Sequence, residues 1–322
     1  MYLVFDIGGT YIKYAIMDGE GNISFKNKAD TPGGYDHTLD EFLEVMCKIY
    51  EECKDKAELE GMALSLPGQI DVENGIVYGG GALPYLDKIN LSELLSEKCD
   101  GLPVALENDA KCAALAEVWI GNAKDCKSAV VLVFGTGIGG GIVVDGKVLH
   151  GVDLVAGEVS FWFDSITMEE VAHIKPFEEL ESRDEFFNYP RGLWHNKASI
   201  MGLRKIVASH KNLSYEEVTG EKIYEYVNEG DTYVSALLEN TYLSIAKQLC
   251  NLYVILAPEI ILIGGGISSR KEFFDGIMRY VDKLKKFAQV FRSMKVDTCK
   301  YLNDSNLIGA LYNFLQQNGK CK

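Results

Sequence analysis

Two glycine-rich turns, each entered from an apolar run, are the places where this chain could handle a phosphorylated ligand. Tyr2-Leu3-Val4-Phe5 runs into Asp6-Ile7-Gly8-Gly9-Thr10, and Ala129-Val130-Val131-Leu132-Val133-Phe134 runs into Gly135-Thr136-Gly137-Ile138-Gly139-Gly140-Gly141. Glycine lacks Cβ, so it reaches φ > 0 and lets bare backbone N–H groups come close to a ligand. Two such loops facing each other could cradle a phosphate chain. Hairpins also need glycine for steric reasons alone. That explanation is harder to sustain for two copies that both carry a threonine hydroxyl, one of them led by a carboxylate. A carboxylate beside a phosphate loop, Asp6, is where magnesium would sit, although Asp6 could also merely end a strand. Lys13 is close enough to the first loop to meet a phosphate, yet hairpin lysines usually face solvent. Between the loops, Pro103-Val104-Ala105-Leu106 ends in Glu107-Asn108-Asp109. A carboxylate at a strand end points into a cleft and can take a hydroxyl proton, which suits Asp109 to the work of a general base. The competing role for Asp109 is the N-cap of the helix that follows, a place Asn108 could equally fill.

The elements that must position these residues alternate. Each glycine turn continues into a second short apolar run, 14–17 and 142–144, so each reads as a β-hairpin. Leu39, Phe42, Leu43, Met46, Ile49 and Tyr50 fall at helical spacing, and a strand at 61–66 stops at the turn pair Pro67-Gly68. Residues 71–77 read as a further hairpin, 91–98 as a helix, and the alanine-rich 110–117 as a helix of high propensity. This pattern indicates an α/β layer architecture, and the strand at Ala129 starts a second α/β unit. From 161 to 198 periodicity is poor and aromatics are frequent, as in Phe161-Trp162-Phe163 and Phe186-Phe187-Asn188-Tyr189-Pro190, which suggests an irregular or locally helical insert. Helices are expected at 222–229 and 232–256, the latter stopped by Pro258. A buried strand at 259–263 then delivers a third glycine cluster, Gly264-Gly265-Gly266, and an apolar helix at 307–315 could fold back on the first domain.

At 322 residues the chain exceeds the usual single-domain size, so two domains are expected. The net charge of −15 argues against a nucleic-acid or acidic-membrane surface, which would need a basic patch. An anionic nucleotide is still compatible, since backbone amides and a metal ion supply local positive potential. No apolar stretch approaches a membrane span, and the first residues lack the basic start and cleavage site of a signal peptide, so a cytoplasmic protein is expected. The eight cysteines show no Cys-x-x-Cys or Cys-x-Cys spacing, which signals neither a zinc knuckle nor a disulfide framework.

Six motifs stand in one order along the chain: Asp6-Ile7-Gly8-Gly9-Thr10, Pro67-Gly68, Glu107-Asn108-Asp109-Ala110, the 135–141 run, Gly157-Glu158, and Ile263-Gly264-Gly265-Gly266-Ile267-Ser268. Singly they are weak; in this order they resemble the ROK (repressor, open reading frame, kinase) family of sugar kinases over nearly the whole chain. The ROK family is a branch of the actin-like ATPase superfamily. The resemblance implies two ribonuclease H-like lobes with the active site in the cleft between them. Residues 1–117 with 303–322 would form a small N-terminal lobe closed by the C-terminal helix, and 118–302 a larger lobe for nucleotide and dimer contacts. It implies ATP and Mg²⁺ as cofactors, a sugar as substrate and a homodimer. By the same likeness Asp6, Gly9 and Thr10, in one loop with Gly8, attend the metal and the transferring phosphate, with Gly135, Thr136 and Gly137 opposite. Gly264, Gly265 and Gly266 flank the adenosine, Gly68, Asn108, Asp109 and Glu158 contact the sugar, and Asp109 is the catalytic base. Phosphoryl transfer to an alcohol asks for positioning, a metal and a base, so these roles are chemically coherent.

The chain also departs from the family. Members usually follow Gly-Glu with a glycine and a histidine, and then carry a cysteine-rich zinc segment. Here Gly157-Glu158-Val159-Ser160 puts a serine in place of the histidine, and no cysteine lies between Cys126 and Cys250, so thiolate zinc ligation there is excluded. The end of the lost segment aligns with Gly192-Leu193-Trp194-His195, which sets His195 either against the sugar or on the surface. Phe161, Trp162 and Trp194 could stack on a bulkier acceptor such as a β-glucoside, or simply fill the core left without zinc. The leading expectation is therefore ATP-dependent phosphorylation of the 6-hydroxyl of a hexose such as glucose, or of a β-glucoside. N-acetylmannosamine and fructose are alternative acceptors. A non-catalytic sugar-sensing regulator is the alternative of another class; such family members carry an N-terminal helix-turn-helix, whereas here the first lobe begins at residue 2.

Overall fold

The computed structural model describes residues 1–175, 179 and 192–321. Its first part holds β1 (Tyr2–Ile7), β2 (Tyr11–Met17), β3 (Ile23–Asp30), α1 (Leu39–Lys54), β4 (Met62–Leu66), β5 (Gln69–Asp71), β6 (Ile76–Tyr78), β7 (Ile89–Asn90), α2 (Leu91–Lys98), β8 (Val104–Asn108) and α3 (Asp109–Ile120). β1 and β4 are buried along their whole length, as the unbroken apolar runs predict for strands covered on both faces. Helix α1 starts where Thr38 accepts the Glu41 amide in a capping box, and it turns Phe42, Leu43, Met46, Ile49, Tyr50 and Cys53 inward. These side chains meet Leu3, Phe5 and Ile7 of β1 in one core.

Beyond α3 come β9 (Ala129–Phe134), β10 (Ile138–Val144), β11 (Lys147–Val148), α4 (Met168–Ala172), α5 (Trp194–Ala198), α6 (Ile200–Lys211), α7 (Gly220–Asn228), α8 (Thr232–Leu256), β12 (Ile260–Gly264), α9 (Lys271–Lys285), β13 (Val296–Thr298) and α10 (Ser305–Gln317). Asp231 caps α8, and Ala257 ends it in the left-handed conformation just ahead of Pro258.

The two five-stranded sheets have the same order: β3-β2-β1-β4-β8 and β11-β10-β9-β12-β13. In the first, β1 pairs antiparallel with β2 and parallel with β4, and β4 pairs parallel with β8. In the second, β9 and β12 pair parallel, as do β12 and β13. The expected α/β class is therefore what the chain adopts, with a hairpin feeding parallel strands in both sheets. A small third sheet, β5-β6-β7, contains the 71–77 hairpin. Two compact units emerge, one of Met1–Lys127, Gly141–Gly157 and the chain from Asn303 onward, the other of Ser128–Gly140 and Glu158–Leu302.

Helix α10 does fold back on the first unit, where it packs on α3, β1, β4 and β8. Phe314 meets the Tyr2 ring at 5.3 Å, and a Cβ on Gly61 would come within 2.1 Å of the Phe314 ring. Elements the pattern did not disclose are β3, β7, β11, α6, α9 and β13. The aromatic run 186–190 lies outside the described residues, as does most of the middle of the 161–198 insert. No helix among the described residues is long and apolar enough to cross a membrane.

Candidate active site

In the first unit, Asp6 near the end of β1 faces Lys13 across the hairpin, in the register Asp6↔Lys13. The buried carboxylate accepts from Lys13 Nζ at 2.9 Å and from Asn306 Nδ2 at 2.9 Å. Lys13 thus neither points away from the loop nor stands alone: its ammonium is committed to Asp6. Asn306, brought by α10 from the other end of the chain, had no motif to reveal it. The loop beyond Asp6 is braced from outside, because Thr31 Oγ1 donates to the Gly8 carbonyl at 2.8 Å and Thr31 N to the Thr10 carbonyl at 3.0 Å. A Cβ on Gly9 would lie 2.8 Å from Ala82 Cβ, so glycine is needed there for close approach. Positive φ is not the reason: it occurs at Gly68, Gly157 and Gly265, not at Gly8, Gly9, Gly135 or Gly137.

The β8–α3 junction carries the carboxylate and amide group. Asn108 Oδ1 accepts the Ala110 and Lys111 amides at 3.0 and 3.2 Å, which makes Asn108 the N-cap and Asp109 the first helical residue. Asn108 Nδ2 donates to the Gly68 carbonyl at 3.0 Å, and the Leu66↔Asn108 register brings Pro67 and Gly68 alongside. Gly68, Asn108 and Asp109 therefore sit together. Glu107, named in the motif but given no role by the sequence, is buried, with one oxygen accepting the Asn108 N–H at 2.7 Å and the other 2.8 Å from His150 Nε2.

In the second unit, Gly135 and Thr136 line a cavity of about 340 Å³ with Phe134, Gly266, Ile267 and Arg270. Ile200, Met201 and Arg204 of α6, with Tyr215, Gly220 and Glu221, complete its wall. That size and mixture of apolar and polar groups suit a nucleoside. Arg204 is immobilised: its guanidinium stacks 3.8 Å from the Tyr215 ring, and Nη1 and Nη2 donate to the Tyr215 hydroxyl and carbonyl at 2.9 and 3.0 Å. Arg270 lies 4.5 Å over the Tyr224 ring. Of the third glycine cluster only Gly266 faces the cavity. Gly265 has φ +93° and would clash with the Phe134 carbonyl if it bore a Cβ, and Gly264 packs on Cys299. The lining residues of α6 were missed because that helix was not read, although Leu203, Val207 and Ala208 bury one face of it behind the Ser199 cap.

Glu158 is half-buried at the head of a short 3-10 turn, Val159–Phe161. Ser160, in place of the family histidine, both donates to the Ile138 carbonyl at 3.0 Å and accepts the Ile138 N–H at 2.9 Å. Its hydroxyl ties that turn to the residue that follows Gly137. His195 is buried, not on the surface, and a Cβ on Gly137 would stand 3.7 Å from its Nδ1. Burial pushes its pKa down to about 4, with the Lys205 charge adding to the effect. Where the zinc segment would be, Trp162 stacks on Trp194 at 5.3 Å, Trp194 Nε1 donates to Ser244 Oγ at 3.1 Å, and Asp164 pairs with Lys247 and Lys197 at 3.2 and 3.6 Å. Those two tryptophans pack on each other. Among the described residues no group of three or more His, Cys, Asp or Glu could hold a metal ion by itself.

A model of the ROK family matches residues 2–317. A β-glucoside kinase of Listeria monocytogenes is 31% identical over 316 residues, 98% of each chain. Among solved structures, the Lmo2764 protein of Listeria monocytogenes, proposed to be an N-acetylmannosamine kinase, superposes with a TM-score of 0.81 at 30% identity, covering 98% of this chain and 99% of the other. A ROK family protein of Streptococcus pneumoniae in complex with sucrose gives a TM-score of 0.81 at 27% identity, with 99% of both chains covered.

Proposed function

The chain belongs to the ROK family, and from that premise we propose that it is an ATP-dependent kinase that phosphorylates the 6-hydroxyl of a glucose unit, with β-glucosides as its acceptors. The full-length likeness to a β-glucoside kinase supports that acceptor class. Asp109 takes the proton of the acceptor hydroxyl as the oxygen bonds to the γ-phosphorus, the bond to the bridging β–γ oxygen breaks, and ADP leaves. The observation that carries this reading is the division of roles at the β8–α3 junction: Asn108 caps the helix, so the helix does not need Asp109 for that purpose. Asn108 offers a sugar both donor and acceptor groups, and Gly68, whose carbonyl it holds, stands beside it on the acceptor side.

On the nucleotide side, Gly135, Thr136 and Gly266 flank the adenosine and phosphates within the cavity of the second unit. Residues missing from the motif reading, Arg204, Tyr215 and Arg270, supply its walls and its positive charge. Asp6 is the residue that would hold Mg²⁺. A single buried carboxylate suits an ion that arrives on ATP, because Mg²⁺ is commonly held by one or two carboxylates together with substrate phosphates. When bound, the ion neutralises phosphate oxygens.

ADP release measured with cellobiose, glucose, N-acetylmannosamine and fructose tests the reading. Cellobiose is expected to give the highest kcat/KM, and Asp109→Asn should lower kcat by about 10²- to 10⁴-fold with nucleotide binding intact. Full activity in that variant would sink the base assignment, and no turnover with any sugar would favour a non-catalytic sugar binder. The Lmo2764 likeness makes N-acetylmannosamine the second acceptor to weigh.

A further inference from the structure

The mechanism above makes no use of Glu107, a carboxylate 1% exposed and two residues from the base. Its two oxygens are not idle. Oε1 accepts the N–H of Asn108 at 2.7 Å, and Oε2 meets His150 Nε2 at 2.8 Å. A carboxylate on that nitrogen selects the form with the proton on Nε2, so His150 donates. His150 lies just beyond β11, in the same unit, and its side chain is 23% exposed, so it closes the group at the solvent edge.

With Glu107 in place, the backbone N–H and both side-chain polar atoms of Asn108 are engaged. Its N–H is held by Glu107, Oδ1 receives the Ala110 and Lys111 amides, and Nδ2 is on the Gly68 carbonyl. Asp109 follows directly, with Oδ1 accepting the Ala110 N–H at 2.7 Å. A fold alone does not call for this arrangement, since a buried polar pair can often be exchanged for well-packed apolar side chains without loss of stability. Precise placement of a base does call for it, because small displacements of a catalytic group are costly to rate.

We infer that His150 is a positioning residue for the transfer, acting through the Glu107 carboxylate on the Asn108 peptide and so on the direction of the Asp109 carboxylate. This rests on the assignment of Asp109 as base.

Steady-state kinetics of the full chain with the best acceptor of the sugar panel test it, using His150→Ala, His150→Gln and Asp109→Asn. His150→Ala should lower kcat by about 10- to 100-fold with the KM for ATP unchanged. His150→Gln, whose amide nitrogen can donate to the same oxygen, should recover most of that loss. A kcat for His150→Ala within twofold of the parent, a glutamine variant no better than alanine, or an ATP KM that rises in step with the fall in kcat each overturns the inference. Should the alanine variant fail to fold, His150→Asn replaces it: the shorter amide falls short of Glu107, so asparagine well below glutamine supports the inference and equal rates overturn it. Loss of turnover in Asp109→Asn alongside full turnover in His150→Ala defeats this inference alone. Full turnover in Asp109→Asn defeats the base assignment beneath it.

Discussion

Burial keeps the His195 imidazole neutral, and that has a consequence for stability against acid. Its pKa is lowered from 6.5 to about 4 in the folded chain, first by desolvation and then by Lys205. A group that resists protonation when folded contributes stability that is fully present above about pH 6.5 and is lost as the pH falls toward about 4, where the unfolded chain binds the extra proton. The full loss is about 3 kcal/mol. Replacing His195 with Gln removes this term, so the difference in melting temperature between parent and variant should shrink or reverse between pH 7 and pH 4.5. A difference that stays constant over that range would show that the imidazole is not held neutral. The chain alone could not decide whether His195 was inside or out, because a lone histidine carries no periodicity. The places of Asp6 and Asp109 in the fold were legible because each stands near or just beyond the end of an apolar strand. Asn306 and His150 were not, since each reaches its carboxylate across a long stretch of chain, and no local spacing encodes such a contact.

Strands and helices with one-sided or fully apolar patterns were readable at the level of elements. The runs at 91–98 and 232–256 match α2 and α8, and Asn108 proves to be the cap of α3. β3 escaped notice because it is an edge strand exposed on most of its length and rich in lysine, as edges commonly are. α9 does bury Phe273, Gly276, Ile277 and Val281 on one face, a helical spacing that was there to be read. The glycine loop after β9 was recognised, but not what holds it. Ser160 makes two hydrogen bonds to Ile138, the first residue of β10, so the turn Val159–Phe161 clamps the loop at its exit. Ser160→Ala leaves the buried end of that strand short of a donor and an acceptor, a loss of about 1 kcal/mol. Expressed in the loop, this should raise the KM for ATP roughly fivefold with little change in kcat, while Ser160→Thr, which keeps the hydroxyl, should stay near the parent. An unchanged ATP KM in the alanine variant would mean the loop holds its shape without this clamp.

At the scale of the whole molecule, the chain closes on its own beginning. α10 buries Leu307, Ile308, Leu311, Phe314 and Leu315, and it covers the face of the first sheet away from α1. Asn313 Nδ2 donates to the Leu106 carbonyl at 2.9 Å on β8, and Tyr312 stacks on Trp119 of α3 at 5.0 Å. At its start, Asn306 holds Asp6. Helix α10 therefore completes the core of the first unit and also holds the Asp6 carboxylate. Phe314 is fully buried against Tyr2 and Gly61. Phe314→Ala should cost about 3 to 5 kcal/mol. Trp119 reports on this change directly, because its ring partner is on the same helix as Phe314. In urea, the fluorescence transition of Trp119, followed with Trp162 and Trp194 replaced by Phe, should move to a clearly lower midpoint in Phe314→Ala. If the two units unfold separately, circular dichroism should show a second transition left in place, because α6, α7, α8 and α9 belong wholly to the other unit. A Trp119 midpoint unmoved by the substitution would mean that α10 lies on the first unit without holding it together.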